Sequence, residues 1–438
     1  LGLMQDWPLL VHRILDHAAE NHGERELVTR AIEGPIRRMT LRQLHSRSRR
    51  VAKALANMGV GLGDRIATMA WNTDRHLEAW YGIMGAGAIC HTVNPRLFPE
   101  QIGYIMNHAE DSHLFVDTTF LPLIEGLEPH LPHLKSVIVM TDKANMPETS
   151  LKNAIVYEDW LAGVDDDFAW AQFDENTACG LCYTSGTTGN PKGVLYSHRS
   201  NVLHALAANS SDVFGAKSTD TILPVVPMFH ANAWALSFSG PAAGSKMVMP
   251  GMRMDGESIY ELLDTEKVTV TAAVPTVWLM LLQYLESSGK QLPYLDRVII
   301  GGAACPQMMI EKFQNNYDVE VIHAWGMTEM SPIGTLNTYK HGMDDFTPEE
   351  KVQQKLKQGR APFSVEMKIV DDEWSELPRD GKAFGHLLVR GPAVAKSYFK
   401  GDGGNILDDE GWFDTGDVAT IDELGYMQIT DRSKDVIK

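Results

Sequence analysis

Tyr183-Thr184-Ser185-Gly186-Thr187-Thr188-Gly189-Asn190-Pro191-Lys192-Gly193-Val194 is the stretch on which the reading of this chain turns. Hydroxyls, glycines and a lysine crowd into one short segment. Glycines let the backbone bend where a Cβ would clash, so that several N–H groups can face one anion. Hydroxyls add donors on a short tether, and the lysine adds a point charge. That combination outlines a polyphosphate cradle. It departs from the Walker A pattern, because Pro191 precedes the lysine where that pattern wants Gly, and Gly193 follows where it wants Ser or Thr. The flanks, Thr177 to Thr184 and Gly193 to Ser197, read as strands. The loop is therefore expected to join two strands as a flap, not to open a helix.

Outward from that loop, strand and helix patterns alternate. Helical spacing runs through Leu10, Ile14, Leu15 and Ala18, and again through Leu41, Leu44, Val51 and Leu55 with Thr40 as N-cap. Strands are expected at Ile66–Met69, Ala88–Val93 and His113–Asp117, with helices over 76–84 and 99–110 between them. Beyond the loop the alternation resumes, with helices expected at 200–209, 231–239, 258–266 and 276–285. The strands expected there are Ile222–Pro227, Val268–Ala273, Arg297–Ile300 and Val319–Ala324. This is the pattern of parallel sheets wrapped on both faces. From about Gly359 strands follow one another without helices, and Lys340–Gln358 reads as a charged, exposed connection. The expected fold is α/β, with two doubly wound βαβ sheets and a small β-rich, barrel-like subdomain. The divisions fall at 1–190, 191–340 and 341–430, with 431–438 as a hinge.

The totals narrow the function. A formal charge of −18 argues against a nucleic-acid surface, which needs clustered Lys and Arg. No apolar run is long enough to span a bilayer, and no signal peptide is read at Leu1. Four cysteines in 438 residues make no disulfide scaffold, and Cys179 and Cys182 read as small core residues of the strand before the loop. Cytoplasm is the expected compartment.

Five segments in a fixed order carry a resemblance: the Thr184–Lys192 loop, Phe229-His230-Ala231-Asn232-Ala233-Trp234, Gly301-Gly302-Ala303-Ala304, Trp325-Gly326-Met327-Thr328-Glu329, and Trp412–Asp417 with Asp431–Asp435. Together they resemble the adenylate-forming enzymes, which include acyl-CoA synthetases, peptide-synthetase adenylation domains and luciferases. The resemblance covers essentially the whole chain. FHANAW and AWGMTE look closest to fatty-acyl-CoA synthetases and to bacterial 3-methylmercaptopropionate-CoA ligases. The implied activity is acyl-adenylate formation from a carboxylic acid and ATP, then transfer to coenzyme A, with Mg²⁺ as cofactor and a homodimer as the expected assembly.

The resemblance also distributes roles. Thr184, Ser185, Gly186, Thr187, Thr188 and Lys192 would cradle ATP phosphates. Gly302, Ala303, Ala304, Trp325, Gly326, Met327 and Thr328 would line the AMP site, with Asp417 and Arg432 on ribose or α-phosphate. Trp325 replaces the Tyr of most relatives, and as a bare residue it also fits a core position. Glu329 is a hard oxygen ligand suited to Mg²⁺ that bridges phosphates, although an acid at a helix start has the same look. His230 would sit where carboxylate and α-phosphate meet. Trp234, Val274, Gly301, Gly302 and Pro332 would line the acyl tunnel, with Trp234 on the same helical face as His230. His230, Lys192, Thr184 and Glu329 form the expected catalytic set. Lys434 takes the hinge position, and since the chain runs only to Lys438, a C-terminal lid is expected to be missing. A luciferase-like oxygenase and a lid-less nucleotide or acyl binder remain as alternatives. His386 stands where relatives often have Glu, with no functional account.

Overall fold

The computed structural model describes residues 2–184 and 189–432. Three sheets organise them. In the first, the order is Ala154–Val156, Ser136–Val139, His113–Val116, Arg65–Met69, Ile89–Thr92, Ala178–Tyr183 and Gly193–Ser197. All neighbours are parallel except the last pair. Runs such as Leu114-Phe115-Val116 and Val137-Ile138-Val139 are wholly buried, as strands covered on both faces require. The second sheet runs Ile333–Leu336, Glu320–Gly326, Arg297–Ile300, Val270–Ala273, Thr221–Pro224, Lys246–Met249, Glu26–Arg30 and Ile36–Thr40, and is parallel except at its two ends. The third is an antiparallel meander of Glu366–Val370, Phe384–Arg390, Phe413–Ile421 and Met427–Arg432.

The helix Asp74–Gly85 is buried on every side, as a helix enclosed by other elements must be. Trp80 and Tyr81 pack on Phe238, and the Tyr81 hydroxyl donates to Ser237 O at 2.8 Å. Its buried Glu78 accepts from Arg47 at 2.6 Å and from the Tyr157 hydroxyl at 2.5 Å, so the enclosed charge is paired. The helix Leu41–Asn57 carries the expected Thr40 cap as a full capping box with Gln43. The two strands flanking the glycine-rich loop pair antiparallel, Tyr183 opposite Gly193, as read from sequence.

Three expectations change. Sheet membership does not break at residue 190: the Glu26–Thr40 hairpin joins the second sheet, and Gly193–Ser197 joins the first. The 340–358 connection holds a helix, Pro348–Leu356, seated by a buried Lys355 whose ammonium donates to Val321 O and Asn337 O at 2.8 and 3.0 Å. The third concerns 231–239. A helix does form, but only over Leu236–Ala243. Ala231 to Ala235 instead make a left-handed turn, with φ of 45°, 58°, 50°, 52° and 66°. Left-handed backbone costs a non-glycine residue about 1–2 kcal/mol, and it persists only where the surroundings dictate it. All five residues are buried, so packing overrides the helical preference of an alanine-rich segment. Trp234 and His230 therefore do not share one face of a right-handed helix.

Candidate active site

The site is built from loops that leave the strands of the two large sheets. At the base of the glycine-rich loop, Thr184 N donates to Lys192 O at 2.9 Å and Lys192 N donates to Thr184 Oγ1 at 3.1 Å. Ser185, Gly186, Thr187 and Thr188 lie outside the described residues, as does Lys434; Arg432 is placed as a strand residue opposite Asp417. Two residues before Thr184, Cys182 lies buried in the strand that enters the loop. Cys179 and Cys182 are buried and free, as core cysteines should be.

His230 is open to solvent but stands in a crowded recess next to Phe229, over which Arg96 lies at 5.7 Å. That surrounding bulk, and then the Arg96 charge, pull its imidazole below the usual range. Trp234 is buried among the main core residues. A β-carbon at Gly301 would lie 3.2 Å from its indole, and one at Gly302 would lie 3.1 Å from Val274 Cγ1. The two glycines thus let Trp234 and Val274 close on the same loop. Ala303 and Ala304 continue that loop at the surface.

Across from these, Trp325 Nε1 donates to Asp417 Oδ2 at 3.1 Å. That bond helps join the Trp325–Glu329 segment to the third sheet. One face of the indole lies directly over Gly334, whose missing side chain makes the approach possible. The following turn is fastened by polar contacts. Met327 N donates to Pro332 O at 3.0 Å, the Tyr196 hydroxyl donates to Thr328 O at 2.7 Å, and Ile333 N donates to His204 Nε2 at 2.9 Å. Gly326 meets the Pro332 carbonyl so closely that no side chain would fit there. Glu329 is buried, and its Oε1 accepts the Tyr398 hydroxyl at 2.6 Å. Among the described residues its Oε2 has no hydrogen bond. The Lys192 ammonium sits 5.0 Å from the centre of the Tyr398 ring.

The structure therefore gathers the expected residues into two groups. Trp234, Val274, Gly301 and Gly302 form one, and Trp325, Asp417, Glu329 and Lys192 border the other. Tyr196, His204 and Tyr398 were missed by sequence reasoning. Tyr196 falls in a strand read correctly as GVLYS; Tyr398 sits in an irregular stretch with no periodic signal. His386 stacks on Trp374 at 5.8 Å and reaches Asp372 at 3.3 Å.

Among the described residues no three His, Cys, Asp or Glu side chains cluster to hold a metal ion by themselves. Magnesium, however, is commonly held by one or two carboxylates plus substrate phosphates. A single buried carboxylate with one oxygen uncommitted fits that chemistry.

This fold, two wound sheets with a small antiparallel sheet and a loop cluster between them, is that of the adenylate-forming enzymes. The chain belongs to the AMP-binding enzyme family, whose profile matches residues 15–399. It is 48% identical to a medium-chain-fatty-acid–CoA ligase of Ectopseudomonas oleovorans, over 100% of this chain and 80% of that protein. A 3-methylmercaptopropionyl-CoA ligase of Ruegeria lacuscaerulensis is also 48% identical, over 100% of this chain and 81% of that one. Among solved structures, the anthranilate CoA ligase AuaEII in complex with anthranoyl-AMP superposes with a TM-score of 0.86 at 26% identity, covering 99% of this chain and 81% of that one.

Proposed function

We propose that the substrate of this ATP-dependent acyl-CoA ligase is a short- to medium-chain fatty acid or 3-methylmercaptopropionate. The observation that carries the reading is the wall made by Trp234, Val274, Gly301 and Gly302. Most of its bulk comes from one indole, and the two loop residues that face it and Val274 are glycines. Such a wall sets how much chain fits. The two relatives at 48% identity act, by their names, on acids of this size range.

The reaction has two steps. A carboxylate oxygen attacks the α-phosphorus of ATP, and pyrophosphate leaves. The coenzyme A thiol then attacks the acyl carbon, and AMP leaves. In the first step two anions must approach each other, so positioning and charge neutralisation dominate. In this reading Lys192 and the Thr184–Thr188 hydroxyls take the β and γ phosphates. Trp325 offers its open face to adenine, with Gly302–Ala304, Gly326 and Met327 around it, and Asp417 with Arg432 takes the ribose. Thr328 adds a hydroxyl to the α-phosphate. His230, kept neutral at physiological pH, donates a hydrogen bond where carboxylate and phosphate meet. Pro332 supports the acyl side beyond the turn. Glu329 would hold Mg²⁺, which when bound neutralises charge shared between phosphate oxygens.

The reading extends to a cytoplasmic homodimer on the family resemblance alone. Sedimentation giving a concentration-independent monomer would remove the dimer. No described helix is long and apolar enough to cross a membrane.

The substrate assignment is tested by pyrophosphate release across straight-chain acids of increasing length, with 3-methylmercaptopropionate beside them. Highest kcat/KM among short and medium acids is the expected result. A maximum at long chains, or at aromatic acids, overturns it.

A further inference from the structure

A segment leaving the third sheet crosses directly over the turn that carries Glu329. It is pinned at that residue and just beyond it: Ala395 N donates to Glu329 O at 2.7 Å, and Ser331 Oγ donates to Ala393 O at 2.9 Å. Further along, Phe399 packs edge-on to His108, and the Lys400 ammonium pairs with Glu110 Oε1 at 2.5 Å. The segment is thus a strap anchored on the adenine-side turn at one end and on a helix of the first sheet at the other.

Tyr398 stands between those anchors and touches both charged groups of the pyrophosphate side. Its hydroxyl donates to Glu329 Oε1 at 2.6 Å, and its ring faces the Lys192 ammonium at 5.0 Å. Space for that ammonium comes from Gly403, where a β-carbon would lie 2.8 Å from Lys192 Nζ. A phenol hydroxyl that faces a carboxylate acts as the donor.

The two contacts differ in strength. A hydrogen bond to a carboxylate is charge-assisted and directional. It commits one oxygen of Glu329 and so fixes the direction of the other. A cation over an aromatic face is a weak seat, which a lysine leaves readily when a phosphate offers ionised oxygens.

We propose that Tyr398 is a positioning residue for the polyphosphate of ATP: its hydroxyl orients Glu329, which would hold Mg²⁺ beside the phosphates, and its ring parks Lys192 until they arrive. This rests on the reading of Glu329 as the Mg²⁺ carboxylate and of Lys192 as a phosphate contact. Tyr398 itself touches neither substrate nor metal. Residues that orient a metal ligand in this way commonly change metal affinity about 10- to 100-fold when removed.

The test uses Y398F, E329Q and the unaltered chain. ATP and AMP affinities are measured by calorimetry over a series of Mg²⁺ concentrations, with thermal melting alongside. In Y398F the ring and its packing remain, so melting and AMP affinity should hold. The Mg²⁺ concentration that half-saturates the gain in ATP affinity should rise about tenfold. E329Q should raise it further, and the double variant should add little to E329Q alone, because both act through one carboxylate. If E329Q leaves the Mg²⁺ dependence unchanged, the metal reading of Glu329 fails and the proposal falls with it. If E329Q shifts it and Y398F does not, Tyr398 alone is overturned. Equal losses of melting temperature, AMP and ATP binding in Y398F make the residue a structural strut and also overturn it.

Discussion

The two walls of the site are held by different physics. The Phe229–Ala235 wall is backbone bent into left-handed geometry and kept there by burial. The Trp325–Ile333 wall is fastened by hydrogen bonds from three directions: Asp417 on the third sheet, Tyr196 on the first, and His204 from the helix His198–Ala208. Packing is cooperative and non-directional, and it makes a rigid surface that measures volume. Hydrogen bonds are directional and individually modest, and they aim groups at a ligand. In the proposed reading the first wall sorts acyl chains by bulk and the second orients a nucleotide, which suits each to its physics. The same contrast predicts where substitutions do their damage.

Trp234→Ala should have the largest effect. Removing a buried aromatic costs about 3–5 kcal/mol of stability, and here it also removes the partner that Gly301 and Gly302 are shaped to meet. Denaturant unfolding should show that loss. Activity surviving in the folded fraction should shift toward longer acids, gradually, since one methylene is worth roughly 1 kcal/mol in an apolar pocket. A profile that falls without moving breaks the picture of this wall as a volume gauge.

Asp417→Ala probes the other wall. Hydrogen bonds to a charged group typically contribute ~1.5–3 kcal/mol. The loss should appear equally in ATP and AMP binding by calorimetry, with unfolding little changed. A stability loss comparable to that of Trp234→Ala would erase the distinction between the walls.

Lys192→Ala should be milder still. The ammonium rests on a ring and, in the proposed reading, engages only when phosphates are present. A loss of about tenfold, or ~1.4 kcal/mol, is expected in pyrophosphate-side steps, with AMP affinity kept. A collapse of AMP binding would place Lys192 elsewhere.

The smallest effect concerns His204, which accepts Ile333 N–H and whose imidazole burial pulls down to about 3. The folded chain keeps it neutral, whereas the unfolded chain protonates it below about pH 6.5. Stability from this residue is therefore complete above that pH and is lost as pH falls through 6.5 toward the folded value. From pH 7 to 6 the loss should be roughly 0.7 kcal/mol. His204→Gln keeps an acceptor but takes no proton, so its unfolding free energy should fall less over that interval by about that amount. Parallel pH slopes would show that the imidazole does not stay neutral in the folded chain.

Much of this was legible in the sequence because it is local. Buried strands such as His113–Val116 announce themselves by composition, the Thr40 capping box by spacing, and the Tyr183–Val194 hairpin by glycines between two apolar runs. The site segments were legible for another reason: each is short and contiguous, so a resemblance could pick it out. What sequence hid was set by tertiary contact. Ala231–Ala235 has the residues of a helix and the backbone of a turn, because its neighbours decide. Lys355 reads as a surface charge, yet its ammonium finds two carbonyls inside the protein. Tyr398 carries no signal at all until the strap brings it over Glu329.

The Glu26–Thr40 hairpin has a consequence for how the molecule is made. Leu27 and Val28 lie beside Met247 and Val248, so a strand synthesised early waits for partners that leave the ribosome much later. Over that interval the first sheet can close, since its last strand ends at Ser197, while the hairpin stays without its sheet. Contacts of such long sequence separation form slowly, and unpaired apolar strands are where chains associate wrongly. Loss of the hairpin would leave Lys246–Met249 as an edge with Met247, Val248 and Met249 uncovered on one side, an invitation to a neighbouring chain. A piece of the protein far from any substrate thus guards the yield of soluble enzyme.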